Sequence, residues 1–329
     1  MNKFLITGGA GFIGYHMVNY LSKKTDNEIH IVDNLFRGKP DSDFRLSLRK
    51  QNIKFIEADL TDPNCYTIFA TNKYDYIYHF AGIVGVKNAV DNPDKVLYVN
   101  TVSILNLLEW IKVNQKQLKR FLFASTSEVY TGTQKHYKVD IPTDEKVNLC
   151  LDDIASARTS YALSKIFGEC SCFNYFKLYK IPITIVRYHN IYGPRMGYNH
   201  VIPELMLKAR KNKRYLDVYS VKHTRAFCYI SDAIEATFKL ITAKDSLGQI
   251  FNVGNSYEEI TIENLAKKII RIVNPKLKIK PSCEETGSPA RRCPDIDKLR
   301  QTIKFKPKVY LDEGLKLTWD WYKNSGTYL

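Results

Sequence analysis

Lys3-Phe4-Leu5-Ile6-Thr7-Gly8-Gly9-Ala10-Gly11-Phe12-Ile13-Gly14 is the stretch that decides the fold. Its first five residues form an apolar run of strand length, and Phe12–Leu21 then carries helical spacing. Gly8, Gly11 and Gly14 lie between the two. Glycine permits a tight turn, lets backbone approach a diphosphate, and lets helix and strand pack closely. The helix N-terminus, where Phe12 and Ile13 sit, offers N–H groups and partial positive charge to that diphosphate. A lone glycine triad is a weak signal. Here the next apolar run, Glu28–Asp33, ends in an acid about 20 residues on, the position from which a carboxylate accepts adenosine-ribose hydroxyls. Asp33 would repel a 2′-phosphate, so the pattern favours NAD over NADP, although Arg37 lies nearby. Asp59, closing a third apolar run, Ile53–Ala58, is placed to reach the adenine edge.

Working outward, Tyr74–Phe80, Arg120–Ser125 and Ile181–Arg187 read as further strands, with helices at Leu97–Val113 and around Tyr161–Leu178. Strands separated by helix-length segments imply a parallel sheet covered on both faces. From about residue 195, helical stretches (Val201–Arg210, Ser231–Ile241, Ile262–Val273) alternate with short strands (Ile250–Val253, Leu277–Lys280). The expected architecture is α/β: a Rossmann-type doubly wound parallel sheet over 1–194, with 225–243 returning to it, and a smaller mixed α/β substrate-binding lobe over 195–329.

The 329 residues are 44% hydrophobic and 25% charged, which excludes a disordered or fibrous chain. Apolar runs stop short of 18 residues, so no membrane span is expected, and the glycines follow too closely on Lys3–Thr7 for a secretory signal. The seven cysteines show no metal-ligand spacing, so no metal is expected and a reduced, cytoplasmic setting is preferred. The formal net charge of +15 admits nucleic acid, an anionic membrane or a small anionic substrate. Without a recognisable nucleic-acid module, and with sparse aromatic interleaving, neither nucleic acid nor membrane is an expected partner.

Tyr161 and Lys165 stand at i and i+4 of a helix and share a face. A free tyrosine, pKa ~10, is a poor base at neutral pH. A neighbouring ammonium and an oxidised nicotinamide favour the phenolate, which can then take a proton from a sugar hydroxyl while hydride leaves. Ala124-Ser125-Thr126-Ser127-Glu128-Val129-Tyr130 supplies hydroxyls at a strand's carboxyl end, where open parallel sheets bind ligands. Thr126 is suited to hydrogen-bond the reacting hydroxyl.

These features together resemble the extended short-chain dehydrogenase/reductase family, the NAD-dependent nucleotide-sugar epimerases, dehydratases and decarboxylases. The resemblance rests on Thr7–Gly14, Asp33-Asn34, Asp59-Leu60, His79-Phe80-Ala81-Gly82, Ser125–Tyr130 and Tyr161-x-x-x-Lys165. It extends to Asn190-x-Tyr192-Gly193-Pro194-Arg195 and Arg225-x-Phe227-x-Tyr229-Ile230-x-Asp232. It implies Tyr161 as base, Lys165 on the nicotinamide ribose and Thr126 polarising the hydroxyl. It adds Asn34, Leu60 and Ala81 to the cofactor side, and Asn190, Arg225 and Arg292 to the side of a nucleotide-diphosphate sugar. Members share oxidation of C4 of the sugar and differ in the fate of the 4-keto intermediate.

Glu128 bears on that difference. A 4-epimerase needs no extra carboxylate, whereas a 4,6-dehydratase needs a base for the C5 proton. Thr126-Ser127-Glu128 departs from the Thr-Asp-Glu of dTDP-glucose dehydratases and matches GDP-mannose dehydratases and UDP-glucuronate decarboxylases. Ala290–Ile296 and Tyr192–Met196 most resemble the decarboxylase branch, where Ser127, Arg292 and Lys87 are candidates to orient a carboxylate. Arg158–Lys165 departs from that branch, lacking Asp-Glu-Gly before the lysine, and Thr131 replaces a glycine. Decarboxylase, dehydratase and epimerase stay open, as does a sensor that only binds NAD. The stretch Thr131–Ala155 is expected to be a substrate-side loop. Helix Leu97–Val113, apolar on more than one face, is expected with the Tyr161 helix to form a homodimer contact.

Overall fold

The computed structural model describes residues 2–36, 41–283 and 287–325; Arg37 lies outside them. The chain forms two compact units. The first comprises Met1–Val129, Asp153–Arg187 and Ile234–Phe251; the second comprises Tyr130–Asp152, Tyr188–Ala233 and Asn252–Leu329. The division thus falls at 187/188 rather than 194/195, and the returning segment is 234–251 rather than 225–243. The reason is local: the chain leaves the main sheet as soon as its sixth strand ends, and the return supplies the seventh.

The first unit is built on β1 (Lys3–Thr7), β2 (Glu28–Asp33), β3 (Ile53–Glu57), β4 (Tyr76–His79), β5 (Arg120–Thr126), β6 (Ile183–Tyr188) and β7 (Gln249–Val253). Their order is β7-β6-β5-β4-β1-β2-β3. β1 pairs in parallel with both β2 and β4, Thr7 facing Val32 on one side and His79 on the other. The order therefore reverses at β1, which makes its carboxyl end the topological switch point of a Rossmann-type α/β sheet. All residues of β5 and of β6 are buried, as expected of central strands covered on both faces.

Three helices matter for the site: α1 (Phe12–Leu21), α2 (Pro93–Asn114) and α3 (Thr159–Tyr179). α2 begins with Pro93 and Asp94, a proline that needs no N–H and an acid on the dipole's positive end. Its Ile104, Leu107, Leu108 and Ile111 pack with Leu5, Ile77, Phe121 and Phe123 in the core. Truncating one of these to alanine costs ~2–5 kcal/mol. By length and mean hydropathy α2 is apolar enough to cross a membrane, although Asn100, Thr101, Ser103, Asn106 and Glu109 interrupt its apolar runs. Its deepest side chains instead line the core.

The second unit is mixed. Helices Val201–Lys211, Ile262–Val273 and Leu311–Asn324 accompany a parallel pair, Tyr215–Val218 with Lys278–Pro281. A three-stranded sheet places Thr224–Ala226 between Glu259–Thr261 and Arg291–Arg292. The expected loop after Tyr130 begins instead with a helix, Thr131–His136. It is tied down by Arg292 Nη2 donating to Thr131 Oγ1 (3.4 Å) and by Thr143 N donating to the Cys293 carbonyl (2.9 Å).

Candidate active site

The glycine cradle follows β1. Gly8 adopts φ +71°, and a methyl group there would stand 2.5 Å from Ala81 N. At Gly14 it would stand 2.2 Å from the Gly8 carbonyl, so α1 meets the turn at a distance only hydrogen allows. Gly11 caps α1 with no side chain over the first turn. Asp33 closes the cradle: Oδ2 accepts from Ala10 N (3.0 Å) and Oδ1 from Leu35 N (2.9 Å). An ionised carboxylate is an acceptor only, which is what donor hydroxyls of a ribose require. Asn34 donates to Asp59 Oδ2 at 2.9 Å, and Thr61 donates to Oδ1 through N and Oγ1. Burial raises the Asp59 pKa, but these hydrogen bonds outweigh it and hold the carboxyl below its usual range. The cradle, the bare helix start and Asp33 fit a dinucleotide.

The second group assembles where β5 ends beneath α3. Lys165 is only 4% exposed; its Nζ donates to the Ala124 carbonyl at 2.9 Å and lies 5.1 Å from the Phe123 ring centre. Burial pulls its pKa down to about 8, against the weaker upward pull of Cys172 and Glu169. Tyr161, one turn earlier on α3, is half-buried. Thr126 Oγ1 accepts from Glu128 N (3.2 Å), and a hydroxyl that accepts one bond can still donate its O–H. Ser127 is buried and Glu128 half-buried beside it. His79 on β4 accompanies Thr7 Oγ1 at 2.8 Å; burial, then Lys165, pulls its pKa to about 3, so it stays neutral.

One positioning residue escaped the sequence reading. Asn100, buried on α2, accepts from Ile83 N (2.7 Å) and donates to the Ile83 carbonyl (3.1 Å) and Ser164 Oγ (3.1 Å). It fixes the Ala81–Ile83 turn against α3. The available signal was a polar residue at core spacing, four from Val96 and four from Ile104.

In the second unit, Arg225 and Arg292 are register partners on adjacent strands, so their side chains share one face. Arg225 donates to Ser288 Oγ (2.8 Å) and to the Thr224 and Ala290 carbonyls (2.7 and 3.2 Å). Both arginines are over nine-tenths buried, a concentration of positive charge suited to a diphosphate. Asn190 takes a positive φ of 43° and donates to the Ala226 carbonyl at 3.0 Å.

The first unit thus groups Gly8, Gly11, Phe12, Ile13, Gly14, Asp33, Asn34 and Asp59 around the cradle. It groups Thr126, Ser127, Glu128, Tyr161 and Lys165 at the end of β5. Ala81 belongs to the cradle wall, its N–H 3.4 Å from Thr7 Oγ1. Leu60 is buried in the hydrophobic core, where an apolar side chain is drawn. Lys87 is an exposed surface lysine whose ammonium sits 2.6 Å from Asp91, one turn along its helix.

The sequence profile of the NAD-dependent epimerase/dehydratase family matches residues 4–254. UDP-N-acetyl-alpha-D-glucosaminuronate decarboxylase of Bacillus cytotoxicus is 35% identical over 331 residues, 98% of each chain. UDP-glucuronic acid decarboxylase 5 of Arabidopsis thaliana is 32% identical, over 96% of this chain and 87% of the relative. The solved UDP-glucuronic acid 4-epimerase of Bacillus cereus, in complex with UDP-glucuronic acid and NAD, superposes with a TM-score of 0.83 at 26% identity, covering 98% and 99% of the two chains. With the glycine cradle and the Tyr161–Lys165 face already in place, this chain belongs to the NAD-dependent epimerase/dehydratase family and is an enzyme that uses NAD.

Proposed function

We propose that this enzyme decarboxylates a nucleotide-diphosphate uronic sugar after transient oxidation of its C4. The observation that carries the reading is the grouping of Thr126, Tyr161 and buried Lys165 at the end of β5. The full-length likeness to two uronic acid decarboxylases supports the decarboxylation step. NAD, when bound, supplies the hydride acceptor at C4 and gives the hydride back. Gly8, Gly11 and Gly14 with the start of α1 hold its diphosphate, Asp33 its adenosine ribose, and Lys165 its nicotinamide ribose.

Tyr161 takes the C4 hydroxyl proton, its phenolate favoured by the Lys165 ammonium. Thr126 donates to the same oxygen. With C4 a ketone, the carboxylate on C5 is β to a carbonyl. The C5–carboxylate bond then breaks, CO₂ leaves, and its electron pair enters an enolate spread over C5, C4 and O4. Ser127 orients the departing carboxylate, Glu128 manages the proton that C5 acquires, and Tyr161 returns its proton to O4. Arg225 and Arg292 meet the substrate diphosphate, with Asn190 on the same nucleotide-sugar side.

A second reading, 4,6-dehydration, is favoured by Glu128, a half-buried carboxylate beside Thr126 of the kind that takes a C5 proton; 4-epimerisation requires no such carboxylate. A panel of UDP-glucuronate, UDP-hexoses and GDP-hexoses with NAD, read by mass spectrometry, separates loss of CO₂, loss of water and unchanged mass. We also propose a homodimer through α2 and α3, whose Tyr98, Val113, Phe167 and Leu178 are exposed apolar surface. Seven cysteines, all unpaired, support a cytoplasmic setting. The reading needs neither a nucleic-acid nor a membrane partner.

A further inference from the structure

A buried charged group lies directly behind the catalytic end of β5. Glu169 follows Lys165 by one turn of α3 and forms a two-point ion pair with Arg187 of β6. Arg187 Nε lies 2.8 Å from Oε1 and Nη2 2.6 Å from Oε2. The two side chains are 5% and 3% exposed. Ser125 of β5 adds a third bond, its hydroxyl donating to Glu169 Oε1 at 2.5 Å. One carboxylate of α3 therefore grips two neighbouring strands at once.

The helix is also unusually close to β5 here. Phe123 and Ser125 share the strand face that α3 covers. A methyl group at Gly168 would stand 2.3 Å from the Phe123 ring, so the gap admits no larger residue. Ser125 is flanked by Ala124, whose carbonyl receives Lys165 Nζ, and by Thr126. Fixing Ser125 along the strand fixes both neighbours. A buried ion pair is a poor stabiliser, since apolar residues of similar volume often serve as well or better. Directional bonds, unlike apolar contacts, hold a strand end in register, and a displacement of about 1 Å can cost ~100-fold in rate.

We propose that Ser125, Glu169 and Arg187 form a positioning unit that holds Thr126 and the Ala124 carbonyl in register with Tyr161 and Lys165. The inference rests on the catalytic roles proposed above for those residues. None of the three touches the reacting atoms; they act through Thr126 and Lys165.

Ser125→Ala is the clean probe, because it leaves the Glu169–Arg187 pair intact and strands no buried charge. The expected result is a fall in kcat of at least tenfold, with KM for the sugar nucleotide, NAD affinity and melting temperature unchanged. Amide hydrogen exchange should rise locally at 126–129. Replacing both charges, Glu169→Leu with Arg187→Met, keeps the pair's volume apolar and should give a folded protein with a comparable kcat loss. The proposal is overturned if Ser125→Ala turns over like wild type, if kcat falls only in step with melting temperature and KM, or if exchange at 126–129 is unchanged. Should wild type itself turn over no sugar nucleotide while exchange still rises in the variant, the catalytic reading fails and the clamp survives it.

Discussion

Replacing Lys165 by methionine separates what the buried ammonium does for chemistry from what it does to stability. Burial lowers its pKa from 10.5 to about 8. At ~1.4 kcal/mol per pH unit, holding the charged form in the fold at neutral pH costs about 3 kcal/mol. Methionine removes that cost but leaves the Ala124 carbonyl without its donor, a loss of about 1–3 kcal/mol. At pH 7 the variant should therefore be at least as stable as wild type while losing over ~100-fold in kcat. The pH dependence sharpens the test. Below about pH 8 the folded and unfolded states of wild type both carry the proton and the full cost is present. Between about 8 and 10.5 the unfolded state is still protonated and the folded state is not, so wild-type stability rises with pH. Other titrating groups cancel between the two proteins. Urea unfolding of both at pH 7 and 9.5 should show the gap moving by about 2 kcal/mol in favour of wild type. A gap that does not change with pH, or a variant that keeps its activity, refutes the reasoning.

Tyr161→Phe keeps the ring of this half-buried residue and removes its hydroxyl, so kcat should fall ~100- to 10,000-fold while the protein stays folded, as steady-state kinetics and calorimetry would show. Gly8→Ala forces a side chain into φ +71° and against Ala81 N, at a backbone cost of about 1–2 kcal/mol. Titration calorimetry should find NAD affinity lowered more than tenfold. Lys87→Ala should leave kcat and KM within twofold of wild type and stability within about 0.5 kcal/mol, because its ammonium is exposed and paired with Asp91 on the surface.

The parts of this fold written in local pattern were legible in the sequence. Lys3–Thr7, Phe12–Leu21, Glu28–Asp33 and Ile262–Val273 match the observed elements residue for residue, because strand alternation, helical spacing and glycine breaks are all short-range signals. The three-stranded sheet of the second unit was missed. Its strands are two or three residues long and pair across distant stretches, which no periodicity reveals. For the same reason Arg225 and Arg292 could be named singly but not as register partners. Residue type alone also did not reveal that Leu60 packs in the core or that Lys87 pairs with Asp91 on the surface. Glu169 was within reach, since extending the Tyr161–Lys165 spacing by one more turn lands on it. Its partner Arg187 reaches it only through the placement of β6 beside β5.

In the proposed reaction C4 is oxidised and then reduced again around the loss of CO₂. UDP-glucuronate carrying deuterium at C4 tests it directly, with the product analysed by mass spectrometry and NMR. The expected result is release of CO₂, one solvent hydrogen at C5, and deuterium retained at C4 because the same hydride returns. Deuterium lost to solvent, or a product that keeps its carboxyl group, would contradict it.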